Sequence, residues 1–113
     1  MRKELIWVGR SLEDLRAFPE DARRQAGHQL NLVQLGLDPD DYRPMPGVGP
    51  GVVEVRIHSA AEYRVFYVAR HAEGIFVLHA FEKKTRKTAK RDIDLGKERL
   101  KEVKQWLRER RQQ

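Results

Sequence analysis

Cysteine is absent from the 113 residues, which excludes disulfides, thiolate zinc sites and cysteine nucleophiles. No apolar run approaches the roughly 18 residues that a transmembrane helix needs. The apolar residues Leu5-Ile6-Trp7-Val8 form a run that is too short for a signal peptide, and they start a strand pattern instead. These absences predict a soluble, cytoplasmic protein with no membrane partner, and the length predicts one domain over residues 1–113.

Side chains with the spacing of a metal or cofactor site are also lacking. The four histidines (His28, His58, His71 and His79) include no ligand pair three or four residues apart. Glu54 and Glu62 flank strand arginines, so they are expected to pair with those arginines rather than to form an acid–base dyad. The glycine-rich stretch 46–51 lacks the lysine and the serine or threonine of a P-loop. The sequence therefore predicts no metal and no cofactor.

Positive charge is concentrated towards the end of the chain. Residues 83–113 carry 13 Lys and Arg against 5 Asp and Glu, a net charge of +8, and residues 1–82 carry 10 against 12, a net charge of −2. This basic segment favours a polyanionic partner, and nucleic acid before membrane because it contains no lipid-facing stretch. A solvated basic helix with a favourable C-terminal dipole is the alternative interpretation.

Hydrophobic periodicity predicts an α+β domain. A short N-terminal strand precedes two helices, and the second helix carries an apolar stripe formed by Ala22, Ala26, Leu30, Val33 and Leu37. The proline- and glycine-rich stretch 37–51 is predicted to be a loop. Three strands follow over 52–58, 62–70 and 74–81, and Thr88 is expected to cap a final helix. The order strand, helix, helix, strand, strand, strand, helix predicts a small, mostly antiparallel sheet.

Two arginines interrupt the apolar alternation of the predicted strands. Arg56 and Arg64 occupy interior strand positions, where a buried guanidinium is costly unless it meets an anion. In the last of these strands Ile75, Val77, His79 and Phe81 are expected to share one side. One face of the sheet is thus predicted to be the core, and the face with the two arginines is predicted to be a shallow anion-binding surface rather than a second core.

Cations that follow the last predicted strand suit the cleavage of RNA without a metal. The 2′-hydroxyl attacks its adjacent phosphate when the nucleotide is held in line, the hydroxyl is deprotonated, the phosphorane charge is neutralised and the 5′-oxygen is protonated. One guanidinium group binds two phosphate oxygens in a bidentate manner. A lysine among other cations has a lowered pKa, which suits proton transfer. The cations in question are Lys83, Lys84, Arg86 and Lys87, and the nearby ring of Phe81 is a candidate to stack on a base.

The strand and basic motifs resemble a known toxin superfamily. Tyr63-Arg64-Val65-Phe66-Tyr67 and Leu78-His79-Ala80-Phe81-Glu82-Lys83-Lys84-Thr85 are similar to motifs of the RelE/ParE superfamily, and most similar to those of its HigB-like branch, which includes phage-derived toxins. The resemblance implies two N-terminal helices on a small antiparallel sheet. It also implies a metal-free, ribosome-dependent mRNA endonuclease, the toxin of a type II toxin–antitoxin system. Its expected partners are the ribosome, mRNA and a small helix-turn-helix antitoxin similar to HigA.

The resemblance also implies roles for individual residues. Arg56 and Arg64 match the strand arginines that hold the scissile phosphate, and Lys83 and Lys84 match basic residues that transfer protons or stabilise transition-state charge. The expected RNA-binding residues are Phe81, Arg86, Lys87 and His79. Many nucleases of the superfamily use a C-terminal histidine or tyrosine, which Arg110-Arg111-Gln112-Gln113 does not supply. The proton-transfer group therefore stays open among Lys83, Lys84 and His79.

Two other functions fit the same pattern. One is a ParE-type inhibitor of DNA gyrase, which has the same fold without nuclease activity. The other is a non-toxic nucleic-acid-binding or adaptor protein of prophage origin.

Overall fold

The computed structural model describes residues 2–112, so Met1 and Gln113 of the predicted domain 1–113 lie outside the described residues. The elements in chain order are β1 (Leu5–Trp7), α1 (Ser11–Arg16), α2 (Glu20–Gln34), β2 (Tyr42–Pro44), β3 (Val52–His58), β4 (Glu62–His71), β5 (Gly74–Glu82) and α3 (Lys90–Arg111). Apart from β2 this is the predicted order, and the predicted α+β class is confirmed.

The five strands form one sheet in the order β1-β5-β4-β3-β2. β3, β4 and β5 form an antiparallel meander, β1 runs parallel to β5, and β2 pairs antiparallel with β3. The prediction of a loop throughout 37–51 was therefore wrong for β2. That strand has three exposed residues and no alternation, and it ends in Pro44, which is tolerated because the strand lies at an edge of the sheet.

The sheet separates two hydrophobic cores. On one face α1 and α2 cover a cluster that includes Ala22, Leu30, Val55, Val65 and Val77. On the other face α3 places Leu100, Val103 and Leu107 against Phe66, Val68, Phe76 and Leu78. The face with the arginines was expected not to form a second core, and that expectation was wrong because α3 packs on it. The end of this face towards Arg56 and Arg64 is charged.

A β-bulge in β5 changes which way its side chains point. Phe66 of β4 pairs with His79, but the next residue, Tyr67, pairs with Val77, so Leu78 is the extra residue. Ile75 and Val77 therefore pack in the core under α1 and α2, whereas Phe81 packs in the core under α3. The expectation that Ile75, Val77, His79 and Phe81 share one side was wrong. The bulge brings His79 and Phe81 to the face that carries the arginines.

The predicted stripe of α2 is buried except at its end. Ala22, Ala26, Leu30 and Val33 are at most 5% exposed, but Leu37 lies beyond the helix and is 56% exposed. The helix ends because Gly36 adopts a φ of 82°, a left-handed conformation that favours glycine. Within residues 2–112 no helix is both long and apolar enough to cross a membrane.

Gly96 lets α3 approach the sheet closely. A Cβ atom at this position would lie 2.9 Å from Val48 Cγ1 and 3.0 Å from Phe66 Cδ2. Such distances are shorter than ordinary carbon–carbon contacts, so a larger residue would push the helix away from its core. This contact fixes the height of α3 above the arginine-bearing face.

We expect Gly96→Ala to lower the free energy of unfolding by about 1–3 kcal/mol through overpacking. Alanine otherwise stabilises a helix interior by about 1 kcal/mol relative to glycine. Gly27→Ala is the matched control, because Gly27 lies on the exposed side of α2 and its added Cβ would meet nothing within 4 Å outside the backbone of its own helix and its chain neighbours. Urea denaturation of both variants checks this, and a stabilised Gly96→Ala protein would contradict the close contact.

Candidate functional site

The two predicted strand arginines lie side by side on the sheet. Arg56 of β3 is directly opposite Arg64 of β4, and Arg64 is directly opposite Phe81 of β5. Residues opposite each other in an antiparallel pair point to the same face, so all three side chains lie on the α3 side. The strand alternation therefore brings the two guanidinium groups together at one end of that face.

A buried carboxylate lies at the centre of these cations. Glu54 is 0% exposed, and its Oε1 atom lies 3.2 Å from Arg43 Nε, 3.8 Å from Arg56 Nε and 3.9 Å from Arg64 Nε. Its Oε2 atom accepts a hydrogen bond of 3.0 Å from the Thr88 hydroxyl. The predicted pairing of Glu54 with strand arginines is confirmed, and the burial of this carboxylate requires such partners.

The two strand arginines differ in how far solvent reaches them. The Arg64 side chain is 6% exposed, and its Nη1 atom donates to Glu62 Oε1 at 3.0 Å and to the Tyr63 carbonyl at 2.9 Å. The Arg56 side chain is 33% exposed and lies 3.8 Å from the Asp41 carboxylate. Arg56 is therefore the strand guanidinium to which an external anion has access, and Arg64 supplies positive charge from beneath it.

Both guanidinium groups keep a buried donor without a hydrogen bond. Among the described residues, Arg56 Nε and Arg64 Nε have no hydrogen-bond partner, since both lie beyond hydrogen-bond distance of Glu54. Glu54 thus neutralises charge without using all of the donors. A buried donor without a partner is unfavourable by about 1–3 kcal/mol, so this cluster is only partly satisfied by its own carboxylates.

The basic segment, residues 83–87, lies at the same end of the sheet. Two hydrogen bonds anchor it: at its start the Lys83 backbone N–H donates to the Glu62 carbonyl at 2.7 Å, and after its end the Thr88 hydroxyl donates to Glu54. Glu62 and Glu54 are both ion-pair partners of Arg64. Within the segment Lys83 Nζ donates to the Arg86 carbonyl at 3.1 Å, which makes a tight turn. The side chains of Lys84, Arg86 and Lys87 are exposed.

Thr88 was expected to cap α3, and this expectation was wrong. Ala89 is the N-cap residue, and no side chain caps the helix there. The Thr88 hydroxyl donates to the buried Glu54 carboxylate instead. Thr88, which the sequence predicted to be a helix cap, instead links the end of the basic segment to the arginine cluster through Glu54.

His79 and Phe81 lie beneath the site. The two rings stack with centroids 4.7 Å apart, and they are 5% and 8% exposed. His79 Nε2 lies 2.8 Å from Asp92 Oδ1 at the start of α3, and Phe81 packs against Phe66. In this arrangement both rings support the scaffold, and their contact with RNA stays a prediction.

Four neighbours of the site were not recognised in the sequence. Arg43 and Asp41 lie in the stretch predicted to be a loop, where no periodicity identifies a strand. Thr88 was assigned to the helix cap. His58 continues the alternation of Glu54 and Arg56, so its face was evident, but its partners were not. Its Nε2 lies 2.6 Å from Asp41 Oδ2 and its Nδ1 lies 2.8 Å from Glu62 Oε1.

Comparisons with known proteins agree with this fold. The family model described as "Phage derived protein Gp49-like (DUF891)" matches residues 13–101, a range that contains all the site residues described above. The solved structure of a mutant of the E. coli toxin RelE in the free state is similar, with a TM-score of 0.64 and 18% identity over 91% of this chain and 99% of that chain. No curated protein matches the sequence. The predicted resemblance to the RelE/ParE superfamily is confirmed.

We expect Glu54→Gln to lower the free energy of unfolding by about 3 kcal/mol, because it leaves the buried Arg64 guanidinium without its central counter-charge. Glutamine keeps the size of the side chain and its capacity to bind Thr88, so the change tests charge rather than shape. Glu98→Gln on the exposed side of α3 is the control and should cause no measurable change. Equal stability of the Glu54→Gln protein and the unmodified protein in urea denaturation would refute this account.

Proposed function

We propose that this chain, which belongs to the Gp49-like family of phage-derived proteins, is the toxin of a type II toxin–antitoxin system and a metal-free, ribosome-dependent mRNA endonuclease. The observation that carries the proposal is the partly exposed Arg56 guanidinium, in register with Arg64 and at the same end of the sheet as the basic segment. The fold, which is that of the toxin RelE, supports the same proposal.

The Arg56 guanidinium suits the binding of a phosphodiester. Its present partner at the surface, Asp41, is 3.8 Å away, and an exposed ion pair of that length is worth about 1 kcal/mol or less. A phosphate oxygen can replace such a partner, since guanidinium binds phosphate in a bidentate manner. Glu54 is buried and stays in place, so it orients Arg56 while the phosphate takes the solvent-facing nitrogens.

The reaction requires only groups that RNA and this site supply. The 2′-oxygen forms a bond to phosphorus and loses its proton to a base, while the bond from phosphorus to the 5′-oxygen breaks and that oxygen takes a proton. The products are a 2′,3′-cyclic phosphate and a 5′-hydroxyl. Arg56 and Arg64 stabilise the additional negative charge of the phosphorane. Lys83 and Lys84 are the proposed proton-transfer groups, and Arg86 and Lys87 bind flanking phosphates.

The exposed cations of the basic segment also suit the proposed partners. Both mRNA and the ribosomal RNA around it are polyanions, and they attract residues 83–113, which carry a net charge of +8. A helix-turn-helix antitoxin similar to HigA is the proposed inhibitor. Such a toxin acts in the cytoplasm, where its target is translated.

We expect Arg56→Ala to abolish growth inhibition when the protein is expressed without an antitoxin, because the phosphate loses its accessible guanidinium. Arg24→Ala is the matched control, since Arg24 is 72% exposed on α2, which packs on the opposite face of the sheet. Arg64→Ala should also abolish toxicity, and circular dichroism must confirm that this buried change leaves the protein folded. Full toxicity of both Arg56→Ala and Arg64→Ala proteins would rule out the proposed site.

Primer extension on a reporter message separates the nuclease from the other functions. After brief induction we expect new 5′ ends within translated regions, and we expect none with Arg56→Ala. Cleaved DNA together with intact messages would favour a gyrase inhibitor instead. Expression that is tolerated, with both message and DNA intact, would favour an adaptor.

A further inference from the structure

His58 holds the two surface carboxylates that pair with the site arginines. Its Nε2 atom lies 2.6 Å from Asp41 Oδ2, and its Nδ1 atom lies 2.8 Å from Glu62 Oε1. Asp41 in turn lies 3.8 Å from Arg56, and Glu62 lies 3.0 Å from Arg64. Each carboxylate is therefore shared between the imidazole and one guanidinium.

The charges around this imidazole are nearly balanced. The groups that face it or its partners are Asp41 before β2, Arg56 of β3, and Glu62 and Arg64 of β4. On the opposite face of the sheet, Gln25 of α2 donates to the His58 backbone carbonyl and Asp21 accepts a hydrogen bond from Ser59. In the cluster itself three guanidinium groups (Arg43, Arg56 and Arg64) meet three carboxylates (Asp41, Glu54 and Glu62). The protonation of His58 therefore decides whether the cluster is neutral or carries one positive charge.

The geometry favours the imidazolium form. A neutral imidazole has one N–H, so it can donate to only one of the two carboxylates, whereas an imidazolium donates to both. Hydrogen bonds to Asp41 and then Glu62 raise the pKa of His58 above its ordinary value of 6.5. The hydrogen bond from His58 is also the main cause that lowers the pKa of Glu62.

We propose that His58 is a positioning residue of the phosphate site, whose imidazolium holds Asp41 and Glu62 and so frees the Arg56 guanidinium for an RNA phosphate. This inference rests on the function proposed above. When His58 loses its proton, one carboxylate loses its donor and turns to the adjacent guanidinium, where it competes with phosphate. The lost charge also weakens the attraction of the cluster for a polyanion.

The proposal fixes the sign of a pH effect on RNA binding. His58 is charged below its pKa, so the affinity for RNA is high at low pH and falls as the pH rises through a value above 6.5. For one charge at a partly exposed site we expect a fall of about threefold to tenfold.

The test measures the binding of a short 2′-O-methyl RNA by fluorescence anisotropy at constant ionic strength, between about pH 5.5 and pH 8.5. This RNA lacks the nucleophile, so binding is separated from cleavage. The unmodified protein should show the step, and His28→Gln, a change on the exposed side of α2, should retain it. His58→Gln should lose the step and bind with the weak, high-pH affinity, whereas His58→Lys should keep the strong affinity across the range.

The outcomes distinguish this inference from the function on which it rests. A step that survives in His58→Gln overturns the role of His58 and leaves the phosphate site standing. A His58→Lys protein that is folded but binds as weakly as His58→Gln also overturns that role. If the unmodified protein binds no RNA at any pH, the phosphate site is wrong and the inference fails with it.

Discussion

The buried carboxylate of Glu54 is the interaction on which the functional end of this molecule depends. It meets guanidinium groups from β2, β3 and β4 on one oxygen and the Thr88 hydroxyl on the other. One negative charge therefore ties together an edge strand, two central strands and the segment that leads into α3. The same contacts orient Arg56, the arginine that solvent reaches. The Glu54 carboxylate thus both stabilises this end of the protein and determines the geometry of the proposed site.

The face of the sheet under α3 is divided between packing and charge. At one end Leu100 and Val103 of α3 pack on the aromatic residues of the sheet, and Gly96 permits close contact there. At the other end the guanidinium groups and their carboxylates replace apolar side chains. His79 lies at the boundary, since it stacks on Phe81 and binds Asp92 of α3. The helix is thereby anchored by apolar contacts, while the exposed cations beside it remain accessible.

How far the sequence predicts this structure depends on whether the determining contacts are local. The alternation of Val53, Val55 and Ile57 predicted the bounds of β3 correctly, and the two arginines were predicted to share one face of the sheet. The register that sets Arg56 opposite Arg64 came from the structure. The strand β2 was missed because its three residues are ordered by pairing with β3 and not by a pattern of their own. The buried position of Arg64 depends on Glu54 across the sheet, and the second core depends on α3, which is distant in the chain. Periodicity carries no information about such contacts, so the faces of β3 and β4 were predictable, but the helix that covers the second face and the bulge in β5 were not.

The extra residue in β5 has a consequence for how the strand tolerates changes in length. Leu78 shifts the alternation of side chains in β5 by one residue. Each residue after it points to the face opposite to the one that the alternation of Ile75 and Val77 predicts. Deleting Leu78 would leave Val77 opposite Tyr67 and His79 opposite Phe66 in a regular ladder, so the histidine–phenylalanine stack would keep its side and the core under α3 would lose one leucine side chain. The strand therefore accommodates the loss of one residue at Leu78 better than the loss of one residue in its regular part, where each later side chain would turn to the other face.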